Sequence, residues 1–179
     1  MLEKISIRGF VVLIIASIGI FVAFSIIMNA IRTLPVPTYN IIDLEFAWTG
    51  ERASIIMQAW GAAIVTQELL ITYLDFGYLA GYGLMAFWLL ALGARLVQKN
   101  EKLAKAALVF MFLSILSPVC DIIENANLIP MMEAFPAIPL DTNALVASVC
   151  ATIKFGVLFL SISVFAFEII HAISTRYKK

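Results

Sequence analysis

The chain has 179 residues, of which 63% are hydrophobic and 13% charged, and its mean hydropathy is +1.01. Soluble domains carry about 45–50% apolar residues, so this composition excludes a soluble fold and predicts a single integral membrane domain, 1–179. The formal net charge is zero, and without a polybasic run no nucleic-acid partner is expected.

Lys4 and Arg8 give a short basic start, followed by a charge-free run over 9–31. That run is about 23 residues, enough to cross a hydrocarbon core of about 30 Å and longer than the roughly 7–15 apolar residues of a signal peptide. It predicts a retained first span. Ser25, Asn29 and Arg32 share one face of its far end, where Arg32 can snorkel to the interface.

Pro35 and Pro37 interrupt helix propagation in the loop that follows. Asp43, Glu45, Phe46 and Trp48 give this loop an acidic, aromatic character suited to a membrane surface. Thr49 is a helix N-cap and Glu51 favours the first turn electrostatically. Over 51–67 the residues Ile56, Ala59, Trp60, Ala63 and Ile64 recur at helical spacing opposite Arg52, Ser54, Gln58 and Gln67. This pattern predicts an amphipathic helix that lies on the outer interface or lids the bundle.

The second span is predicted over 69–92. Thr72, Asp75, Tyr78 and Tyr82 fall on one side of it, while Gly77 and Gly81 form a GxxxG on another side, open to a membrane partner or a second copy. Arg95, Lys99, Lys102 and Lys105 then crowd a short loop. Together with Lys4, Arg8, Arg176, Lys178 and Lys179 they place nine of the twelve basic residues on one membrane face. The positive-inside bias predicts both termini and this loop on the cytoplasmic side of the cytoplasmic membrane.

The third span, 106–129, carries Ser114, Ser117, Asp121, Glu124 and Asn125 at steps of three and four, a polar stripe on one helix face. Pro118 predicts a kink one turn before Asp121. Pro130, Pro136 and Pro139 mark a short outer loop with Glu133 and Asp141. The fourth span, 143–170, aligns Asn143, Ala147, Cys150, Lys154, Leu158, Ser161, Phe165 and Glu168 on one face. Lys154 lies about ten residues from the outer end, too deep to snorkel comfortably, so pairing with an acid is expected. Glu168 and His171 read as an ordinary helix end. Cys120 and Cys150 both fall within spans and read as buried thiols, with a bridge between the helices geometrically conceivable.

The expected fold is therefore all-α, a transmembrane four-helix bundle with an additional outer amphipathic interfacial helix. Asp75, Tyr78, Tyr82, Asp121, Glu124, Asn125 and Lys154 converge in its outer half as a candidate ligand-binding pocket. Three carboxylates there face one lysine, so a carboxylate carries a proton or the pocket receives a cation or a donor-bearing ligand. One histidine and two dispersed cysteines make no metal set, and no phosphate loop or nucleophile elbow is present, so no metal or cofactor is expected.

Tyr73-Leu74-Asp75-Phe76, Asp121-Ile122-Ile123-Glu124-Asn125 and Lys154-Phe155 carry a resemblance to a group of small prokaryotic four-helix membrane proteins. It runs from about Asp43 to Phe155 and implies a shared pocket without a reaction. A looser likeness, in architecture alone, is to the sterol isomerase and sigma-2 receptor class, whose acidic residues line a lipid-binding cavity. Three functions fit these residues: a binder or carrier of a small amphipathic or lipid ligand, a structural or accessory subunit of a membrane complex, and an isomerase-like acid-base enzyme acting on a lipid.

Overall fold

A computed structural model of the chain describes residues 5–34, 38–138 and 140–177. Lys4, Pro35, Pro37, Pro139, Lys178, Lys179 and the side chain of Arg176 lie outside the described residues. The helices are α1 (Ile7–Ile31), α2 (Ile41–Glu45), α3 (Gly50–Leu96), α4 (Glu101–Leu113), α5 (Leu116–Glu133) and α6 (Asp141–Tyr177). No strand occurs among the described residues. Four units are long and apolar enough to cross a membrane: α1, α3, α4 with α5, and α6. The fold is an all-α bundle of membrane-spanning helices.

Two apolar clusters mark the ends of the bundle. Phe10, Leu90, Ala91 and Met111 close the end that holds the termini, with Val164 and Phe165 packed beside them. At the other end Leu44, Ile56, Met57, Trp60, Leu128, Met131 and Ala144 form a larger core. The helix α1 packs chiefly on α3, and α5 packs on α6. Only Phe10 and Ser17 of α1 are buried, as suits a helix whose other faces meet lipid.

Gly77 and Gly81 explain the close approach of α1. The ring of Phe24 occupies the space a side chain at Gly77 would need, and a Cβ on Gly81 would stand 2.7 Å from Cα of Phe21. The GxxxG face, read from sequence as open to a partner or a second copy, is thus covered by α1 of the same chain.

The amphipathic segment and the second span are one helical unit, broken at Gly61 rather than near residue 68. Gly61 sits at φ 70°, ψ 168°, a backbone state that glycine adopts at little cost. Before the break Ala53, Ile56, Met57 and Trp60 face the bundle, so this segment covers one end of the core as a lid. The break resets the helical phase: Ala59 and Ala63 are exposed while Gln67 and Glu68 are buried, which a single 51–67 periodicity does not anticipate.

The third span also divides upstream of its proline. Pro118 has no N–H, and the carbonyl of Ser114 accepts instead from the N–H of Ser117 at 3.3 Å. Ser114 and Ile115 therefore form a turn between α4 and α5, and Pro118 rests against Gly83 of α3. At the other end α5 continues through Pro130 to Glu133, past the expected stop at Ile129.

Candidate functional site

The site begins with Lys154, about a third of the way along α6 and only 6% exposed. An ammonium in such a place must be matched by acceptors. Its Nζ donates to Glu124 Oε1 at 2.8 Å, Asp121 Oδ1 at 2.9 Å and Glu45 Oε2 at 3.4 Å. Asp121 and Glu124 are one turn apart on α5, so both reach the same cation. The second oxygen of Asp121 accepts from the Tyr82 hydroxyl at 2.6 Å, which ties α3 to the α5–α6 pair. Ser117 Oγ donates to the Lys154 carbonyl at 3.3 Å. Beside this core, Asn125 Nδ2 donates to Asp75 Oδ2 at 2.7 Å.

Glu45 is the site residue that the sequence did not announce. It arrives on α2, a helix started by Asn40, whose side chain accepts from the N–H groups of Ile42 and Asp43 while Asp43 accepts from the Asn40 N–H. This capping box was legible in the spacing Asn40-x-x-Asp43. Leu44 and Glu45 face inward as a result, and Phe46 stacks on Phe155 with ring centroids 5.8 Å apart. Trp48, at φ 62°, donates its N–H to Ser148 Oγ at 2.9 Å and fixes the segment to α6. Burial pushes the Glu45 carboxyl above its usual range, with Lys154 opposing the shift.

A cavity of about 600 Å³ lies against this cluster. Asp75, Tyr78, Tyr82, Asp121, Asn125 and Lys154 line it, joined by Glu45. Glu124 does not: it is fully buried behind Lys154, where it holds the ammonium in place. Phe21 and Met28 of α1, Met85 and Leu89 of α3, and Leu158 and Phe165 of α6 supply apolar walls. The carboxylates gather toward the α2 end, while Ser161 and Phe165 lie toward the terminal end.

Arg32 does not simply snorkel. Its guanidinium grips Glu68 at two points, Nε to Oε1 at 3.0 Å and Nη2 to Oε2 at 2.8 Å, the fork geometry that favours arginine at a carboxylate. Gln67 Oε1 accepts the N–H groups of Thr33 and Leu34 at 2.9 and 3.1 Å, binding the end of α1 to α3. Glu68 carried no signal beyond being one charge at a predicted helix junction. Glu168 likewise differs from an ordinary helix end: it is fully buried against Gly93, and neither oxygen has a partner among the described residues. Cys120 and Cys150 are free, buried thiols.

The arrangement is a set of fixed acceptors at the polar end of an otherwise apolar chamber. Lys154 and Tyr82 hold Asp121 rigidly, whereas Asp75 meets only the neutral amide of Asn125 among the described residues. Among the described residues no group of three or more His, Cys, Asp or Glu is arranged to hold a metal ion. No family model matches the chain, and no curated protein or solved structure matches it.

Proposed function

We propose that the protein binds, or carries within the membrane, a small amphiphile with a cationic head. The observation that carries this reading is the charge balance beside the cavity: Glu45, Asp75, Asp121 and Glu124 are answered by the single ammonium of Lys154, while Arg32, which also lines the cavity, is matched by its own partner Glu68. A ligand ammonium against Asp75 and Asp121 offsets the excess, and the Tyr78 and Tyr82 rings beside them favour a cation further. The alkyl part of the ligand lies along Met85, Leu89, Leu158 and the α1 wall, where it replaces lipid contacts. We place both termini in the cytoplasm and the acidic end of the cavity in the outer half of the cytoplasmic membrane. Arg8, Arg95, Lys99, Lys102 and Lys105 at the terminal end support that orientation.

The test is native mass spectrometry of the protein released from its own membranes, for wild type and Asp75→Asn. Asp75 is the suitable probe because it lines the cavity and stands apart from the ion pairs of Lys154. The expected result is a reproducible basic adduct on the wild type that disappears from an equally stable variant. An adduct unchanged by Asp75→Asn overturns the reading. So does a protein that carries none and leaves the membrane with a fixed partner chain, which would identify the network as structural.

A further inference from the structure

Serine and threonine hydroxyls inside membrane helices normally return to the carbonyl one turn back, because no water is available to them. Ser17, Ser25, Thr66, Thr72, Thr152 and Ser163 all do so here, at 2.8 to 2.9 Å. Ser161 does not. Its residue is 3% exposed, its Oγ has no partner among the described residues, and it lines the cavity. A buried hydroxyl left unpaired loses free energy that its own helix could have supplied at Val157, so its orientation calls for a partner inside the cavity.

Ser161 lies seven residues beyond Lys154 on the same face of α6, which at 1.5 Å per residue places it ~10 Å along the chamber. Leu158 and Phe165 flank it, so the region around the hydroxyl is apolar. A water molecule needs two to four polar partners, and Ser161 offers one.

We infer that the ligand is a long-chain amine bearing a hydroxyl or other hydrogen-bonding oxygen about 10 Å from its nitrogen, and that Ser161 bonds this second polar group. The inference rests on the reading of the cavity as an amphiphilic amine site. The acidic end fixes the head, the oxygen at Ser161 fixes how far the chain is inserted, and a plain alkylamine satisfies only the first. Ser161 is then a specificity residue, which selects among amines that the carboxylates alone accept equally.

The experiment compares two probes, dodecylamine and dodecylamine hydroxylated on its eighth carbon, binding to the full chain in lipid nanodiscs by calorimetry. Wild type should favour the hydroxylated amine about fivefold, the effect of one neutral hydrogen bond. Ser161→Ala should bind both with the affinity that wild type shows for dodecylamine. Equal binding of the two amines by wild type overturns the inference and leaves the amine site standing. A preference that persists in Ser161→Ala also overturns it, by assigning the discrimination to another group. If neither amine binds the wild type, the amine reading fails and the inference with it.

Discussion

At the scale of single residues, Lys154 decides whether the centre of the bundle is stable. Its ammonium lies within 3.4 Å of three carboxylates from two other helices, so removing it leaves buried like charges without their counter-ion. Breaking a buried ion pair from one side costs about 3–5 kcal/mol, and Lys154→Met should lower the thermal stability of the purified protein by that amount. Acidification should restore part of the loss, because burial already raises the Glu45 carboxyl and its protonation removes its repulsion with the neighbouring carboxylates. A variant as stable as wild type at neutral pH would mean that the cluster is solvated. Most of this site was legible in the sequence, since Asp75, Asp121, Glu124, Asn125 and Lys154 are polar residues inside apolar spans and such residues are costly unless paired. Glu45 and Glu68 were not. A carboxylate in a loop or at a helix junction is ordinary by itself, and only the inward turn of α2 and the return of α1 onto α3 bring these two to their partners.

At the scale of elements, the position of α1 depends on the absence of side chains on α3. Gly81→Ala would place a methyl 2.7 Å from Cα of Phe21, a backbone atom that moves only with its helix. Overpacking of this kind costs about 1–3 kcal/mol. Gly19→Ala on α1 is the control, because nothing stands within 4 Å of the added carbon and alanine is the better helix former. Thermal unfolding of the two variants should therefore show a loss for Gly81→Ala and none for Gly19→Ala; equal stability would deny that the close crossing matters. The spans themselves were legible, since long charge-free runs between clusters of charge mark them directly. Their breaks were less so. Pro118 disturbs the third span four residues upstream, where its missing N–H leaves the Ser114 carbonyl free, and Gly61 shifts the phase of α3 without any proline to announce it.

At the scale of the whole molecule, the chain forms two packed pairs, α1 with α3 and α5 with α6, and the cavity lies where α3 and α6 carry their polar faces toward each other. The lid segment of α3 and the inward-turned α2 cover one end of this arrangement, and the cluster around Phe10 and Met111 closes the other. On the proposed reading, a chamber covered at both ends and walled on one side by a helix that packs chiefly on one neighbour would receive its ligand from the bilayer, between helices. The orientation proposed for it rests on charge. The described basic residues Arg8, Arg95, Lys99, Lys102 and Lys105 belong to the terminal end, and the positive-inside rule supports the proposal that this end lies in the cytoplasm. Cys120 and Cys150 are buried, so a membrane-impermeant maleimide should leave the parent chain unlabelled in intact cells. A cysteine introduced at Leu140, which is 72% exposed between α5 and α6, should react in intact cells. One introduced at Lys99, exposed between α3 and α4, should react only after the membrane is opened. The reverse pattern would turn the molecule over and place the acidic end of the cavity in the cytoplasmic half, so that the head of the proposed amine ligand would face the cell interior.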